Sequence, residues 1–240
     1  MPEDPLMIRA RELWENLASV PVSFASDGGV RVVVSPESRL CPAGWVGVVA
    51  LGESALATAP DADTAAVVRD ALTGLPVTAV TDVAAVGAVL PLAGVLGPAA
   101  LAYVSVGGFR PVGRGAPVVQ QLPGTHPDVR RLEETAGETD AGEAGLFENT
   151  SPAFVVRTAG QVVAAAGYRL WPGRTAHIGV LTAPAQRGRG LARAVGSAAT
   201  AHALTAGLLP QWRARIPASR RVADALGFRE LGAQLSIDLA

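Results

Sequence analysis

The sequence of 240 residues contains no lysine, one cysteine and only three histidines. A Walker-type phosphate loop requires a lysine after its second glycine, so this chain cannot contain one. The single Cys41 excludes a disulfide framework within the chain. The three histidines, His126, His177 and His202, lie too far apart in sequence to favour a structural zinc site, and we expect no metal. Aromatic residues make up only 5% of the chain, so the core must consist mainly of Ala, Val and Leu.

The chain also lacks a recognisable export signal. Residues 1–16 are charged and typical of a helix, whereas a secretory signal is basic and then apolar, so we expect a cytoplasmic protein. Residues 83–106 carry no charge and are long enough to span a bilayer. Three glycines and two prolines interrupt this run, and we interpret it as a helix, a turn and a buried segment, with a membrane span as the alternative.

Charge is distributed unevenly along the chain. Residues 1–111 contain 6 Arg and 11 Asp or Glu, a net charge of −5, whereas residues 112–240 contain 14 Arg and 10 Asp or Glu, a net charge of +4. An arginine-rich half suits a small polyanionic ligand, although chance partition gives the same pattern. The arginines are dispersed and the pI is about 6.3, so we expect no nucleic-acid partner.

The segment from 178 to 208 predicts a phosphate site. Residues 178–181 favour a strand and residues 191–208 favour a long alanine-rich helix. Between them, Gly188 and Gly190 alternate with Arg187 and Arg189. Free amides at a helix N-terminus and the positive end of the helix dipole attract anions, and glycines let a phosphate approach the backbone.

Two phosphate-binding motifs compete for this loop. A dinucleotide fingerprint requires Gly or Ala where this chain has Arg193, and an acidic residue near position 210, where none is found. The second motif, Q/R-x-x-G-x-G/A, is satisfied by Arg187-x-x-Gly190-x-Ala192. This hexamer resembles the pyrophosphate loop of the GNAT superfamily of acyl-CoA N-acyltransferases. An ordinary glycine-rich turn between a strand and a helix is the alternative.

The sequence around the loop strengthens the resemblance. Residues 153–156 and 161–170 are typical of two strands joined by a short turn, and residues 209–215 of a further strand. A short predicted helix then ends at Leu226-Gly227-Phe228 before a last strand, as many GNAT domains end. The resemblance covers about residues 116–240. It implies an α/β fold with a mixed sheet, the GNAT fold.

Short repeated sequence segments suggest an internal duplication. Gly108-Phe109-Arg110 repeats as Gly227-Phe228-Arg229, about half the chain later. We therefore expect tandem GNAT-like domains: a degenerate domain over residues 1–111 and an acetyltransferase domain over residues 112–240. Gly52-Glu53 would then stand where the first domain has lost its phosphate loop. Chance matches in so Ala- and Gly-rich a chain are the alternative.

The resemblance implies an N-acetyltransferase that uses acetyl-CoA and acetylates a primary amine of a small molecule or peptide. The alternative is a catalytically impaired module that binds acyl-CoA and regulates another process. The acceptor and the oligomeric state cannot be read from the sequence, and a homodimer is compatible with it. By alignment to the motif, the expected cofactor-binding residues are Val180, Leu181, Thr182, Arg187, Gly188, Arg189, Gly190, Leu191, Ala192 and Ser219.

Three residues are candidates for catalysis. His177 stands where many relatives carry a Glu that acts as general base. An unperturbed histidine has a pKa near 6.5 and can take this role. A histidine that only makes structural hydrogen bonds at the start of a strand is an equally compatible interpretation. Glu148 is a second candidate base. It ends an acidic stretch, residues 133–148, that either attracts a cationic amine or is a solvated surface. Tyr168 is the candidate acid, because the family's usual Tyr and Asn positions hold Ala223 and Ile216 here.

Overall fold

The chain forms two compact units of mixed α/β structure. The computed structural model describes residues 4–240. The first unit contains the described residues up to Leu101 together with Glu230–Ala240, and the second contains Ala102–Arg229.

The first unit is a five-stranded mixed sheet with helices. Its strands lie in the order β1-β3-β2-β10-β4, with β1 parallel to β3 and the pairs β2–β3 and β2–β10 antiparallel. A core of Val, Ala and Leu side chains packs between this sheet and α2. The elements are α1 (Pro5–Leu17), β1 (Gly29–Val34), β2 (Val46–Leu51), β3 (Ser54–Ala59), α2 (Ala62–Thr73), α3 (Val83–Gly87), β4 (Leu92–Tyr103, as far as Leu101) and β10 (Arg229–Leu239, from Glu230).

Strand β10 requires a glycine where it meets β2. An ideal Cβ at Gly232 would lie 1.8 Å from the carbonyl oxygen of Ala50, so only glycine allows this approach without a backbone shift.

The second unit is a five-stranded sheet with helices on both faces. Its strands lie in the order β9-β8-β7-β6-β5; β8 and β9 are parallel and the other pairs are antiparallel. The elements are β5 (Gln120–Leu122), α4 (Pro127–Ala136), α5 (Glu138–Ala144), β6 (Ala153–Thr158), β7 (Gln161–Trp171), β8 (Thr175–Thr182), α6 (Leu191–Thr205), β9 (Leu209–Ala214) and α7 (Pro217–Ala225).

Alternation along the strands separates two cores in this unit. Ile178, Tyr168 and Trp212 face α6 and α7. Leu181 belongs to the opposite face, where it packs with Leu132 of α4. Because side chains alternate between the faces of a strand, His177 and Gly179 lie on the same face as Leu181, toward α5.

The predicted elements around the loop are confirmed. The α6 helix begins at Leu191 as predicted and ends at Thr205, before Gly207, whose φ of +69° is typical of a helix end. The uncharged run 83–106 holds the short helix α3 and the strand β4. Among residues 4–240, no helix combines the length and apolar character needed to cross a membrane. One strand, β5, lies between the end of β4 and Pro127.

The proposed equivalence of Gly52-Glu53 with the phosphate loop is wrong. These residues form the tight turn of the β2–β3 hairpin, so β3 and not β2 precedes helix α2. The connection to α2 is Pro60-Asp61, without glycine, and the Asp61 carboxylate caps the helix by accepting from the Thr64 amide at 2.8 Å. A carboxylate therefore occupies the helix terminus at which a phosphate would bind.

The compact units do not coincide with the predicted domains 1–111 and 112–240. The last strand, β10, pairs with β2 and is therefore grouped with the first unit. The predicted domain bounds come from a possible sequence duplication, and the compact units do not test whether the two halves are related. The division into domains 1–111 and 112–240 therefore stays a prediction.

Candidate functional site

Strands β8 and β9 separate halfway along their length. Their parallel pairing covers three residue pairs and ends at His177 opposite Gln211, although β8 continues to Thr182 and β9 to Ala214. Beyond that point the backbone groups of β8 that face β9 have no partner on that strand, so they can pair with a ligand lying between the two strands.

A cavity of about 520 Å³ occupies this opening. Its walls are β8, the loop before α6, the far half of β9, α7 and one side of α5. The charged residues that line it are five arginines and two carboxylates: Arg187, Arg193, Arg213, Arg215, Arg221, Asp140 and Glu143. The excess of positive charge suits an anionic ligand of the size of a nucleotide cofactor.

The loop between β8 and α6 is shaped to accept an anion. Gly188 and Gly190 have φ values of +78° and +73°, which favour glycine, and an ideal Cβ on either would meet no atom within 4 Å. Gly190 is the N-cap of α6 and has no side chain with which to cap it, so the first amides of the helix face open space. This is the geometry of a phosphate site at a helix N-terminus.

Two buried polar atoms beside the loop fit a ligand. Thr182 Oγ1 and Gln186 Oε1 are buried and have no hydrogen-bond partner among residues 4–240, and both residues line the cavity. Buried polar groups are normally paired, so these atoms favour a polar ligand at this place. Ser219 also lines the cavity. Its hydroxyl accepts from the Trp212 indole at 2.9 Å and keeps its own hydrogen free to donate. The residues present therefore fit a polar, anionic cofactor such as coenzyme A.

Helix α5 lies across the cavity and forms one ion pair with each side of the opening. Asp140 is bound to Arg187 of the loop at 2.5 Å, and Glu143 is bound to Arg215 just after β9. The helix ends close to β8: an ideal Cβ at Gly179 would lie 2.1 Å from the carbonyl oxygen of Ala144. Two carboxylates of the acidic stretch, Asp140 and Glu143, thus form ion pairs with arginines around the cavity.

His177 lies at the end of the β8–β9 pairing, where the cavity begins. Its Nδ1 is 2.5 Å from Gln211 Oε1, and its ring stacks on Trp171 with centroids 4.0 Å apart and an angle of 8° between the planes. A carbonyl-type oxygen accepts only, so in this orientation Nδ1 carries the hydrogen and Nε2 is left as an acceptor. Loss of hydration, and after it the positive charge of Arg213, lower the pKa of His177 to about 3. The hydrogen bond to Gln211 opposes this shift, and the charge of Arg169 adds a smaller lowering effect.

The other two catalytic candidates lie outside the cavity. Glu148 is exposed and ion-paired with Arg169, the cross-strand neighbour of His177. The Tyr168 hydroxyl is 3.0 Å from His202 Nδ1 on the opposite face of the sheet, among the core residues that pack against α6. Burial raises the pKa of Tyr168 above its ordinary value. Neither residue lines the cavity beside His177.

The expected cofactor residues lie around one space. Val180, Leu181, Thr182, Arg187 and Ser219 line the cavity, as do Gly188, Gly190, Leu191 and Ala192; Arg189 is exposed on the loop and is not part of the lining. At the family's usual acid position, Ala223 is buried against α6 and α7 core residues, and at the usual Asn position Ile216 caps α7 without a side-chain hydrogen bond.

Sequence reasoning missed two arginines, Arg213 of β9 and Arg215 just after this strand. Arg213 and Arg215 alternate with buried residues in the segment 209–215, and this period of two signals that they share a face with Gln211. The pairing of Gln211 with His177 had no comparable signal, because the register between parallel strands is set by contacts distant in sequence.

Comparisons with known proteins give one family match, which includes the loop before α6. Residues 142–233 match the family model described as GNAT acetyltransferase, whereas a search of curated proteins finds no match. Among solved structures, the chain is similar to a GNAT-family acetyltransferase from Colwellia psychrerythraea, with 17% identity, 62% of this chain and 59% of that chain covered, and a TM-score of 0.47.

Two further solved structures show the same level of similarity. A GCN5-related N-acetyltransferase from Kribbella flavida is 21% identical over 60% of this chain and 58% of that chain, with a TM-score of 0.45. A ribosomal-protein-alanine N-acetyltransferase from Brucella melitensis is 16% identical over 51% of this chain and 99% of that chain, with a TM-score of 0.39. The alignment spans less than two thirds of the first two of these structures. These values are too low to transfer an activity.

The matched segment contains the features on which the site depends. It includes β8, the loop with Gly188 and Gly190, α6, β9 and α7, and the family supports acyl transfer as the general type of reaction. The resemblance that the loop sequence indicates is thereby confirmed: residues 142–233 match the GNAT acetyltransferase family model.

Proposed function

We propose that this protein is an acetyl-CoA-dependent N-acetyltransferase that acetylates a primary amine of a small molecule or peptide by direct attack on the thioester. The observation that carries this proposal is the end of β8–β9 pairing at His177, which opens a cavity leading to the glycine loop of α6. One opening thus offers an anion site at one end and a polar, half-buried side chain, His177, at the other.

The loop and the exposed edge of β8 would hold the cofactor. Amides between Arg187 and Ala192 would bind the diphosphate, and the unpaired backbone of Val180-Leu181-Thr182 would bind the extended arm. Acetyl-CoA would supply the activated acetyl group as a thioester. A β8 amide directed at the thioester oxygen would stabilise negative charge on it, and holding amine and thioester together would provide most of the rate.

His177 would act as a proton acceptor that is always neutral at physiological pH. With Nδ1 bound to Gln211, Nε2 is the atom that can accept from the amine or from a water beside it. Because its pKa is lowered to about 3, turnover should show no step near pH 6.5 that belongs to this residue. Because His177 is a weak base, the amine must be largely unprotonated before it reacts. The positive charges around His177 would favour this form by lowering the pKa of the amine.

A non-catalytic acyl-CoA-binding module is the second candidate. It is favoured by the missing acid: Ala223 replaces the usual Tyr, and the Tyr168 hydroxyl contacts His202 in the core of the other face. The departing thiolate would then have to take its proton from solvent.

Thiol release separates the two functions. The purified protein is incubated with acetyl-CoA and a panel of primary amines, and released thiol and acetylated amine are both measured. Equal amounts of thiol and amide support the transferase. Coenzyme A binding without amine-dependent thiol release supports the binding module.

A further inference from the structure

The side of the cavity on which an acceptor must lie is positively charged. Gln211 and Arg213 lie on one face of β9, Arg215 follows the end of this strand, and Gln211 is bound to His177. Trp212, between them, points to the opposite face and packs with Phe228, their ring centroids 5.5 Å apart. Arg213 therefore faces the same space as His177, two residues beyond the last paired position, about 7 Å along the strand.

The carboxylates near this place are already bound to other arginines. Glu143 is bound to Arg215, and Glu148 is bound to Arg169. Of the charged side chains that act on His177, Arg213 is the strongest and Arg169 the next, and both are positive. The local potential around His177 is therefore positive, which repels a simple ammonium ion.

The phosphates of the cofactor bind elsewhere. Thr182, where β8 ends and the loop follows, is five residues from His177, about 17 Å along the strand. Arg213 lies two residues beyond the point at which the strands separate, which places it closer to His177 than to Thr182. This position suits Arg213 to a group that enters beside His177 better than to the diphosphate.

A carboxylate is the group that this arginine is built to bind. A guanidinium has five donors in a planar fork that matches both oxygens of a carboxylate, so Arg213 can bind one alongside the contact that it makes within the protein. An amine that carries a carboxylate is neutral overall, and its ammonium is no longer excluded by the field. The same positive charges lower the pKa of the bound amine and so favour its reactive form.

We propose that the acceptor is a primary amine bearing a carboxylate, and that Arg213 binds this carboxylate and directs the amine to His177. This inference rests on the proposed acetyltransferase function. It names the substrate class from the position of one side chain, because Arg213 lines the cavity and shares its face of the sheet with His177.

Matched acceptors test the proposal. Glycine is compared with glycinamide, and β-alanine with its amide, and each rate is corrected for the fraction of unprotonated amine. We expect kcat/KM to be at least tenfold higher for each carboxylate than for its amide. Arg213→Gln should remove this preference through KM while the Kd for coenzyme A stays within twofold, which also shows that the variant is folded. Arg213→Lys, which keeps the charge but not the fork, should restore part of the preference.

The control is Arg130→Gln, which removes an exposed arginine of α4 outside the cavity. This variant should change neither the preference for carboxylates in kcat/KM nor the Kd for coenzyme A. An equal effect of Arg213→Gln on both members of a pair, or a loss of coenzyme A affinity without a change in preference, overturns the proposal. If no amine releases thiol, the transferase function fails, and calorimetry on the protein–coenzyme A complex still decides the inference. Glycine binding that depends on Arg213 supports a carboxylate site, and its absence overturns it.

Discussion

At the scale of single residues, Gly190 is required both for the backbone conformation of the loop and for the open space in front of the α6 amides. Its φ of +73° favours glycine, and the space where a Cβ would project is empty. Gly160 has a comparable φ of +80° and equally open surroundings, but lies in the β6–β7 turn away from the cavity.

We therefore predict that Gly190→Trp weakens coenzyme A binding at least tenfold, about 1.4 kcal/mol or more. The indole would occupy the space from which a phosphate reaches the α6 amides. Gly160→Trp bears similar backbone strain and serves as the matched control, whose affinity should not change. Titration calorimetry measures both, and equal affinities in the two variants would remove the loop from the site.

His177 should make the protein less stable in acid. Its folded pKa is about 3 and its ordinary value is 6.5, so between these values the unfolded chain binds a proton that the folded chain does not. The free energy of unfolding therefore falls as pH decreases through this window and is unaffected by this residue above it.

The variant His177→Gln removes this titration, so its stability should decline less between pH 7.5 and 4.5 than that of the parent. Urea denaturation at both pH values measures the difference, and the other histidines contribute equally to both proteins. A parallel decline in parent and variant would show that His177 titrates normally in the folded chain.

Residues are predictable where their role is local. Gly188 and Gly190 could be assigned from the hexamer alone, because a strand, a glycine loop and a helix are consecutive in sequence. The partners of His177, Gln211 and Trp171, could not, because strand pairing and side-chain stacking bring them together.

At the scale of elements, α5 lies across the opening between β8 and β9 and is ion-paired with both of its sides. Asp140 and Glu143 are three residues apart and so share one face of the helix, from which they bind the two sides of the cavity. The phosphates of a bound cofactor must compete with Asp140 for Arg187.

Asp140→Asn should therefore tighten coenzyme A binding two- to fivefold, on the order of 0.5–1 kcal/mol, as expected for an exposed ion pair. The gain should be larger at low ionic strength, because salt screens the carboxylate. Glu138→Gln, on the same helix but outside the cavity lining, is the control. Weaker binding in Asp140→Asn would mean that the ion pair supports the cofactor site instead of competing with it.

The elements of the second unit follow well from sequence, and those of the first follow less well. The strands around residues 153–182 alternate or run apolar between clear turns, and α6 begins at its glycine. In the first unit, β2 and β3 are both uniformly buried, so no periodicity showed which strand precedes α2. The position of β10 between β2 and β4 depends on pairing across most of the chain.

At the scale of the whole molecule, only the second unit offers a phosphate loop among residues 4–240. In the first unit the comparable connection is Pro60-Asp61, where a carboxylate caps α2. The duplication, a homodimer, cytoplasmic localisation and the absence of nucleic-acid and membrane partners stay predictions.

Calorimetry on the intact chain should therefore give one coenzyme A per chain. The Asp61 carboxylate repels a phosphate from the α2 terminus, so no second equivalent is expected. A second saturable equivalent, retained in Gly190→Trp, would show that the first unit has a cofactor site of its own.

The most direct measurement of the central claim follows both products of one reaction. Acetyl-CoA and amines with and without a carboxylate are incubated with the parent protein and with Gly190→Trp, and released thiol and acetylated amine are quantified together. We predict one amide formed for each thiol released, and a loss of both in Gly190→Trp at subsaturating acetyl-CoA. Tight coenzyme A binding by the parent without amine-dependent thiol release would contradict the account.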